Sequence, residues 1–436
     1  MKMRIILVAV FFTLLAVSLP VSAAIPDLQI NNVYDQAGSP ETSYALSSLT
    51  AQNLDSPQTE SSRIGPVSKD VAEYRIKVNV GSGEYDSITL TNYVQEKSPW
   101  HTKADENLVI LPGQGLTEKF YSDMAIYYAQ RGYSVYILDR RETNIQLDDQ
   151  SDEEDFSLMK DWTVDKHLSD TYEGIYASRN HTSFLSGKSA ENIKVTAIGH
   201  SHGALILTAY EASEYDDLSM GSVDRIVPVD IIIKYNPEYS EFINGQEQEF
   251  NKISSDMENG IYYSTGMGTM KNIAGLAYTY PNETSLIWPG LTNIQLFRLF
   301  ASQTYSLSPH PYTLDYHYWT GDTDGLYYVN ESQLLELTLN GGAVSFTPNS
   351  MDQYMAGLMG NVEGYDIDSS KVDSPVLYVG LGGGFGDNGS WWYENEVGKT
   401  NKKVTCMNWK DQGHASLLID YNSPKLWGLI YKWMKD

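Results

Sequence analysis

The sequence predicts an α/β protein with a mostly parallel central sheet flanked by helices. Short apolar, β-rich runs alternate with helix-forming stretches between residues 108 and 237, a rhythm that fits parallel strands joined by covering helices. The run 193–198 leads straight into Gly199-His200-Ser201-His202-Gly203 and then into the helix-forming 204–212. The pattern breaks after Pro237 and resumes at Pro375, so a long segment is inserted between two strands of one sheet. With 436 residues, the chain can form one large domain carrying an insertion or two or three smaller ones.

The chain opens with Lys2 and Arg4, an apolar stretch over 5–19 and the small residues Val21-Ser22-Ala23-Ala24, which read as a secretory signal peptide over 1–24. An uncleaved N-terminal anchor is the alternative. Residues 25–68 are rich in Ser, Thr, Gln, Asn and Pro without periodicity and are expected to form a flexible arm. The runs 74–80 and 87–93 alternate apolar and polar residues across a Gly-rich turn, the signature of a hairpin. Then come a buried strand at 108–111, a helix at 118–130 closed by Arg131-Gly132, a strand at 133–138 and a helix at 167–179. A strand at 226–233 follows the Gly-x-Ser-x-Gly segment. Residues 238–374 are Tyr- and Gly-rich, with clear helical pieces only at 294–302 and 351–359. They are expected to be a lid over the sheet's working edge, or else an independent second domain. The strands 375–379 and 403–407 and an amphipathic helix at 424–434 complete a core of 69–237 and 375–436.

The net charge is −26, and −28 once Lys2 and Arg4 are removed. Such a charge opposes binding to nucleic acid or anionic membranes. No stretch after the leader reaches the ~18 apolar residues of a membrane span, so no transmembrane segment is expected in the mature chain. The single cysteine, Cys406, lies in the apolar run 404–407 and is expected to pack rather than react. An exported chain with one cysteine has no internal disulfide and depends on its core. Asp322-Thr323-Asp324-Gly325 lacks the later ligands of a calcium loop and reads as a turn.

A strand that turns sharply into a helix strains the turn residue, exposes its side chain and needs glycine where the two elements crowd. Ser201 is thus placed as a nucleophile, with the positive end of a helix behind it. A serine hydroxyl needs an adjacent base. His414, in the polar loop Asp411-Gln412-Gly413-His414 between the last strand and the last helix, is the best candidate. His200 and His202 flank the serine and are expected to turn away from it, although the His202 N–H can donate to an oxyanion. His310 and His317 lie in the insertion and could line a pocket. A base needs a carboxylate to hold its tautomer, and Asp387, after the glycine-rich 380–386, is the expected acid. Asp373 sits at the wrong end of its strand, and Asp411 is too near His414 in sequence. An acid at the end of the 226–233 strand or inside the insertion is the alternative. In Leu111-Pro112-Gly113-Gln114-Gly115 a strand ends in glycines, which makes the Gln114 N–H the second expected oxyanion donor. The same loop lacks the residues of a phosphate loop or a dinucleotide fingerprint.

The order Ser201, Asp387, His414, with a strand leading into Pro112-Gly113-Gln114-Gly115, resembles the α/β-hydrolase superfamily over about residues 71–436. In that superfamily the loop usually begins His-Gly. Here Pro112 replaces the histidine and leaves the backbone donor intact. The resemblance implies acyl-transfer chemistry without a cofactor or metal, with a small-molecule or lipid ester as the substrate. A serine peptidase would use the same residues, and a surface binding protein could keep the fold without activity. The aromatics Tyr262, Tyr263, Tyr278, Tyr280, Trp288, Tyr316, Tyr318 and Trp319 could wall an acyl pocket or simply form the insertion's own core.

Overall fold

The apolar runs do become strands, and alternate residues in them face two different cores. In the computed structural model, which describes residues 42–45, 59–68, 70–145, 156–265, 268–303, 317–340 and 346–436, eleven strands join one sheet. The N-terminal part comprises β1 (Thr42–Ala45), β2 (Thr59–Ser68), β3 (Val71–Asn79), β4 (Ser87–Ser98) and the short β5 (His101–Thr102). These pair antiparallel in sequence order. The central part contains β6 (Glu106–Leu111), β7 (Ser134–Asp139), β8 (Lys194–His200) and β9 (Arg225–Val229). The small strands β10 (Tyr263–Thr265), β11 (Gly321–Asp322), β12 (Gly325–Leu326) and β13 (Phe346–Pro348) lie outside it. The sheet then gains β14 (Val376–Leu381) and β15 (Val404–Trp409). Its order is β1-β2-β3-β4-β7-β6-β8-β9-β14-β15, with every pair from β7 onward parallel.

Strands buried on both faces read as continuous apolar runs, and β6, β7 and β14 are buried almost throughout. Val109, Leu111, Tyr136, Leu138, Val195 and Ala197 pack into one core. Leu108, Ile110, Val135, Ile137 and Ile198 pack into the other. This alternation is the two-residue period of a strand. The helices α1 (Glu118–Ala129), α2 (Val164–Ser186), α3 (His202–Glu211), α4 (Ser240–Glu258), α5 (Gly268–Thr279), α6 (Asn293–Gln303), α7 (Glu331–Asn340), α8 (Asn349–Met359), α9 (Gly386–Trp392) and α10 (Ser423–Lys435) follow in chain order. Helix α2 begins at Thr163, whose side chain accepts from the Lys166 N–H, and ends at Gly187 in the left-handed region at φ 74°, two standard terminators. Helix α10 buries Leu426, Trp427, Ile430 and Met434 along one face.

The expectation of a flexible arm over 25–68 fails at Thr42–Ala45, which pairs with β2, and at its C-terminal end. Thr59–Ser68 is a strand paired along β3 from Thr59↔Val78 to Ser68↔Val71, and Arg63 donates to both carboxylate oxygens of Glu96 on β4. A polar strand has no hydrophobic signature of its own, because its order comes from backbone pairing with its neighbours, here β1 and β3. The expected leader over 1–24 and His310 lie outside the described residues. Among the described residues no helix is long and apolar enough to cross a membrane.

Candidate active site

Ser201 sits between β8 and α3 at φ 53°, ψ −124°, a region that costs a non-glycine residue energy and persists only when its surroundings impose it. Its N–H donates to Val229 O at 2.9 Å, and its carbonyl accepts from Ala204 N–H at 2.8 Å. Any side chain at Gly199 would lie 2.5 Å from Gly203 O, and one at Gly203 would collide with Leu111 O. The two glycines of the pentapeptide are therefore steric requirements of the turn, and the serine is left half-buried at the end of the sheet.

The oxyanion-loop candidate lies directly on this elbow. A Cβ at Gly113 would stand 3.4 Å from the Ser201 Cβ. Gly115 takes the left-handed conformation at φ 70°, which the turn into α1 needs. The Gly113 N–H is already donated to the Tyr121 hydroxyl at 2.8 Å. The next N–H along, that of Gln114, is the one the sequence points to. On the other side His202 is the first residue of α3, where a backbone N–H has no partner one turn earlier. Buried Arg140 fixes the loop from behind, donating to Pro112 O at 2.8 Å and Gly113 O at 3.4 Å. Its Nε reaches Glu142 at 2.7 Å. Burial would raise the Glu142 pKa, but Arg140 and His167 outweigh it and hold the carboxyl below the usual range. The Gln114 side chain donates to the Thr347 hydroxyl on β13 at 3.0 Å, so the segment between β9 and β14 touches the candidate oxyanion loop itself.

His414 lies in the loop after β15, just ahead of the short helix Ser416–Ile419, and is 2% exposed. Its N–H donates to His317 O at 2.8 Å and the next N–H, Ala415, to Tyr318 O at 2.9 Å. The loop is thereby strapped to 317–318 of the intervening segment. The Tyr318 and Phe385 rings stand 5.4 and 5.7 Å from the His414 ring. Tyr318, one of the aromatics considered for an acyl wall, therefore packs on the candidate base. Tyr278 and Tyr280 are exposed, Trp319 is core, and Tyr316 lies outside the described residues.

The carboxylate facing His414 Nδ1 is Asp230, at 2.6 Å. Asp387, the acid expected from the sequence, is exposed in the first turn of α9 and takes the side-chain amide of Asn408. The correction has a clear physical origin. Strand β9 ends at Val229, so Asp230 is not within a strand but is the first residue beyond it, at φ 50°. Its Oδ1 accepts from Leu381, Phe385 and Gly386 N–H groups at 2.8, 3.1 and 3.0 Å. The glycine-rich loop after β14 thus supplies backbone donors rather than an acid. A side chain at Gly384 would strike the Asp230 carboxylate. The sequence does hold one signal for this: a charged residue inside the apolar run 226–233 must be paired if buried.

Cys406 is partly buried, and burial pushes its thiol up to about 12, which suits packing rather than nucleophilic chemistry. The Asp322 carboxylate accepts from the Asp324 and Gly325 N–H groups, so 322–325 is a tight turn.

No protein-family model matches the chain, and no curated protein matches it in sequence. Its fold does match solved structures. A candidate lipase from Sulfolobus solfataricus superposes with a TM-score of 0.57 at 14% identity, over 85% of this chain and 96% of that one. A highly thermostable carboxyl esterase from Bacillus coagulans gives 0.52 at 12% identity, over 84% and 99%. The chain has the fold of the α/β-hydrolase superfamily.

Proposed function

We propose that this protein is a serine hydrolase of carboxylic esters, working through an acyl-enzyme on Ser201. His414 takes the Ser201 proton as the hydroxyl attacks the acyl carbonyl and returns it to the leaving alcohol. Water then enters by the same base and releases the acid. Asp230 takes the orienting role in place of Asp387, holding the His414 tautomer and stabilising the imidazolium. The N–H groups of Gln114 and His202 receive the oxyanion. The observation that carries this reading is the fully buried Asp230–His414 pair at 2.6 Å, on loops flanking a serine held at a strained φ. The lipase and esterase named among the similar structures add support for esters. Residues 238–374 act as the lid, and the substrate is a small-molecule or lipid ester.

A fluorophosphonate probe followed by peptide mass spectrometry tests the nucleophile, and labelling anywhere but Ser201 would overturn it. A panel of p-nitrophenyl esters set against peptidyl amides tests the bond class, with faster amide cleavage moving the protein among peptidases. The chain is proposed to be exported, with cleavage near Ala23 or Ala24, and intact mass of the mature protein checks this.

A further inference from the structure

His200 stands immediately before the nucleophile, and its ring is buried, 1% exposed. Its Nε2 lies 2.9 Å from the carbonyl oxygen of His414. A carbonyl can only accept, so Nε2 carries the hydrogen. Burial, helped by the neighbouring His414, pushes the His200 pKa down to about 3, so the ring is neutral at physiological pH and Nδ1 is a bare acceptor. The group facing Nδ1 is the Tyr121 hydroxyl at 2.8 Å, which must then donate. Its oxygen in turn accepts the Gly113 N–H at 2.8 Å. Every bond in the chain has a forced direction: Gly113 N–H to Tyr121, Tyr121 to His200 Nδ1, and His200 Nε2 to the His414 carbonyl. Its ends are the oxyanion loop and the base loop, and its middle is anchored in the elbow.

We propose that His200 and Tyr121 form a positioning relay that sets the spacing of oxyanion loop, nucleophile and base at once. Neither ring touches the reacting atoms in this role. The relay acts on geometry that matters only when charge develops at the substrate, so its loss should lower turnover more than binding. Buried polar networks of this kind do so only when every member is satisfied, and here the two hydrogen-bonding atoms of His200 and the Tyr121 oxygen all are. The inference rests on the serine hydrolase reading above.

The test uses Tyr121→Phe, His200→Leu and His200→Gln in the full chain, assayed with p-nitrophenyl butyrate. Tyr128→Phe is the control, because it removes a bond of the same kind on the same helix, to Trp427 O, away from the site. Tyr121→Phe should lower kcat about tenfold with KM within about threefold, while Tyr128→Phe stays within about twofold in both. His200→Leu should cost about a hundredfold in kcat, and His200→Gln, which keeps an amide donor and acceptor, should recover roughly tenfold of that. Equal kcat in the two tyrosine variants, or no recovery by glutamine, would overturn the relay. Should the variants not fold, NMR of 15N-histidine-labelled wild type decides. His200 must appear as the neutral Nε2–H tautomer from pH 5 to 8, and an Nδ1–H or charged ring overturns the proposal. Wild type that neither turns over the ester nor labels at Ser201 removes the hydrolase reading, and the relay's purpose with it, whatever tautomer is seen.

Discussion

The loops that follow β9 and β14 leave the sheet side by side, and they use their aspartates in opposite ways. Asp230, after β9, is fully buried and faces four N–H donors, one from the end of β14, two from the loop that follows it and one from His414. Asp387, after β14, lies in solvent against an asparagine amide. Both are acids that follow a strand of the sheet, Asp230 directly and Asp387 after a glycine-rich loop, and residue type does not separate them. What separates them is which loop supplies donors and which supplies the carboxylate. The β14 loop is rich in glycine, so its backbone can close around a partner, and it does so around Asp230. The same reasoning extends to Glu211 at the far end of α3. It too is buried, but only one of its oxygens is satisfied, by the Ser374 N–H, and burial raises its pKa to about 7.

The largest effect should come from the candidate nucleophile that His414 and its acid would serve. Ser201→Ala should lower ester turnover by about four to six orders of magnitude while the protein stays folded, as for other triad nucleophiles. Activity within about tenfold of wild type would remove the mechanism altogether. Next, Asp230→Asn should cost about a thousandfold or more in kcat, since an amide favours the wrong imidazole tautomer, while phosphonate labelling of Ser201 slows without vanishing. A small effect here would erase the contrast between the two loops.

A thermal measurement addresses the third acid. The Glu211 pKa is raised on folding, so the folded state keeps a proton that the unfolded chain releases above about pH 4.5. Its stabilising contribution is complete below that pH and is lost as pH rises to about 7. Tm should therefore fall between pH 5 and 7, and Glu211→Gln should flatten that fall by a few degrees. An unchanged slope would mean that Glu211 has found a second donor. The smallest effect belongs to Asp387→Asn, which should leave kcat within about twofold and Tm within about 1 °C, as exposed substitutions usually do. A large loss there would restore the acid expected from the sequence.

Much of the site is legible in the amino-acid sequence. The apolar runs announce β6, β7, β8 and β14 because a strand buried on both faces has to be apolar at nearly every position. Gly199, Ser201 and Gly203 announce the elbow because its sterics are local, confined to five residues and the two elements they join. The polar loop holding His414, between the last strand and last helix, is readable for the same reason. The carboxylate that faces His414 is hidden by a boundary: reading 226–233 as one strand places Asp230 inside it, whereas the strand stops at Val229. The Thr59–Ser68 strand is hidden because its residues are polar and its partner lies on β3.

Fold class and the candidate nucleophile and base thus follow from the order of residues alone, since periodicity and turn sterics act over a few near neighbours. The candidate acid, the Thr59–Ser68 strand and the partners of His200 were left to long-range packing. For the acid and for His200 the decisive partners lie 79 to 214 residues away along the chain. In a dry interior each buried donor and acceptor must find a partner, wherever in the sequence that partner lies.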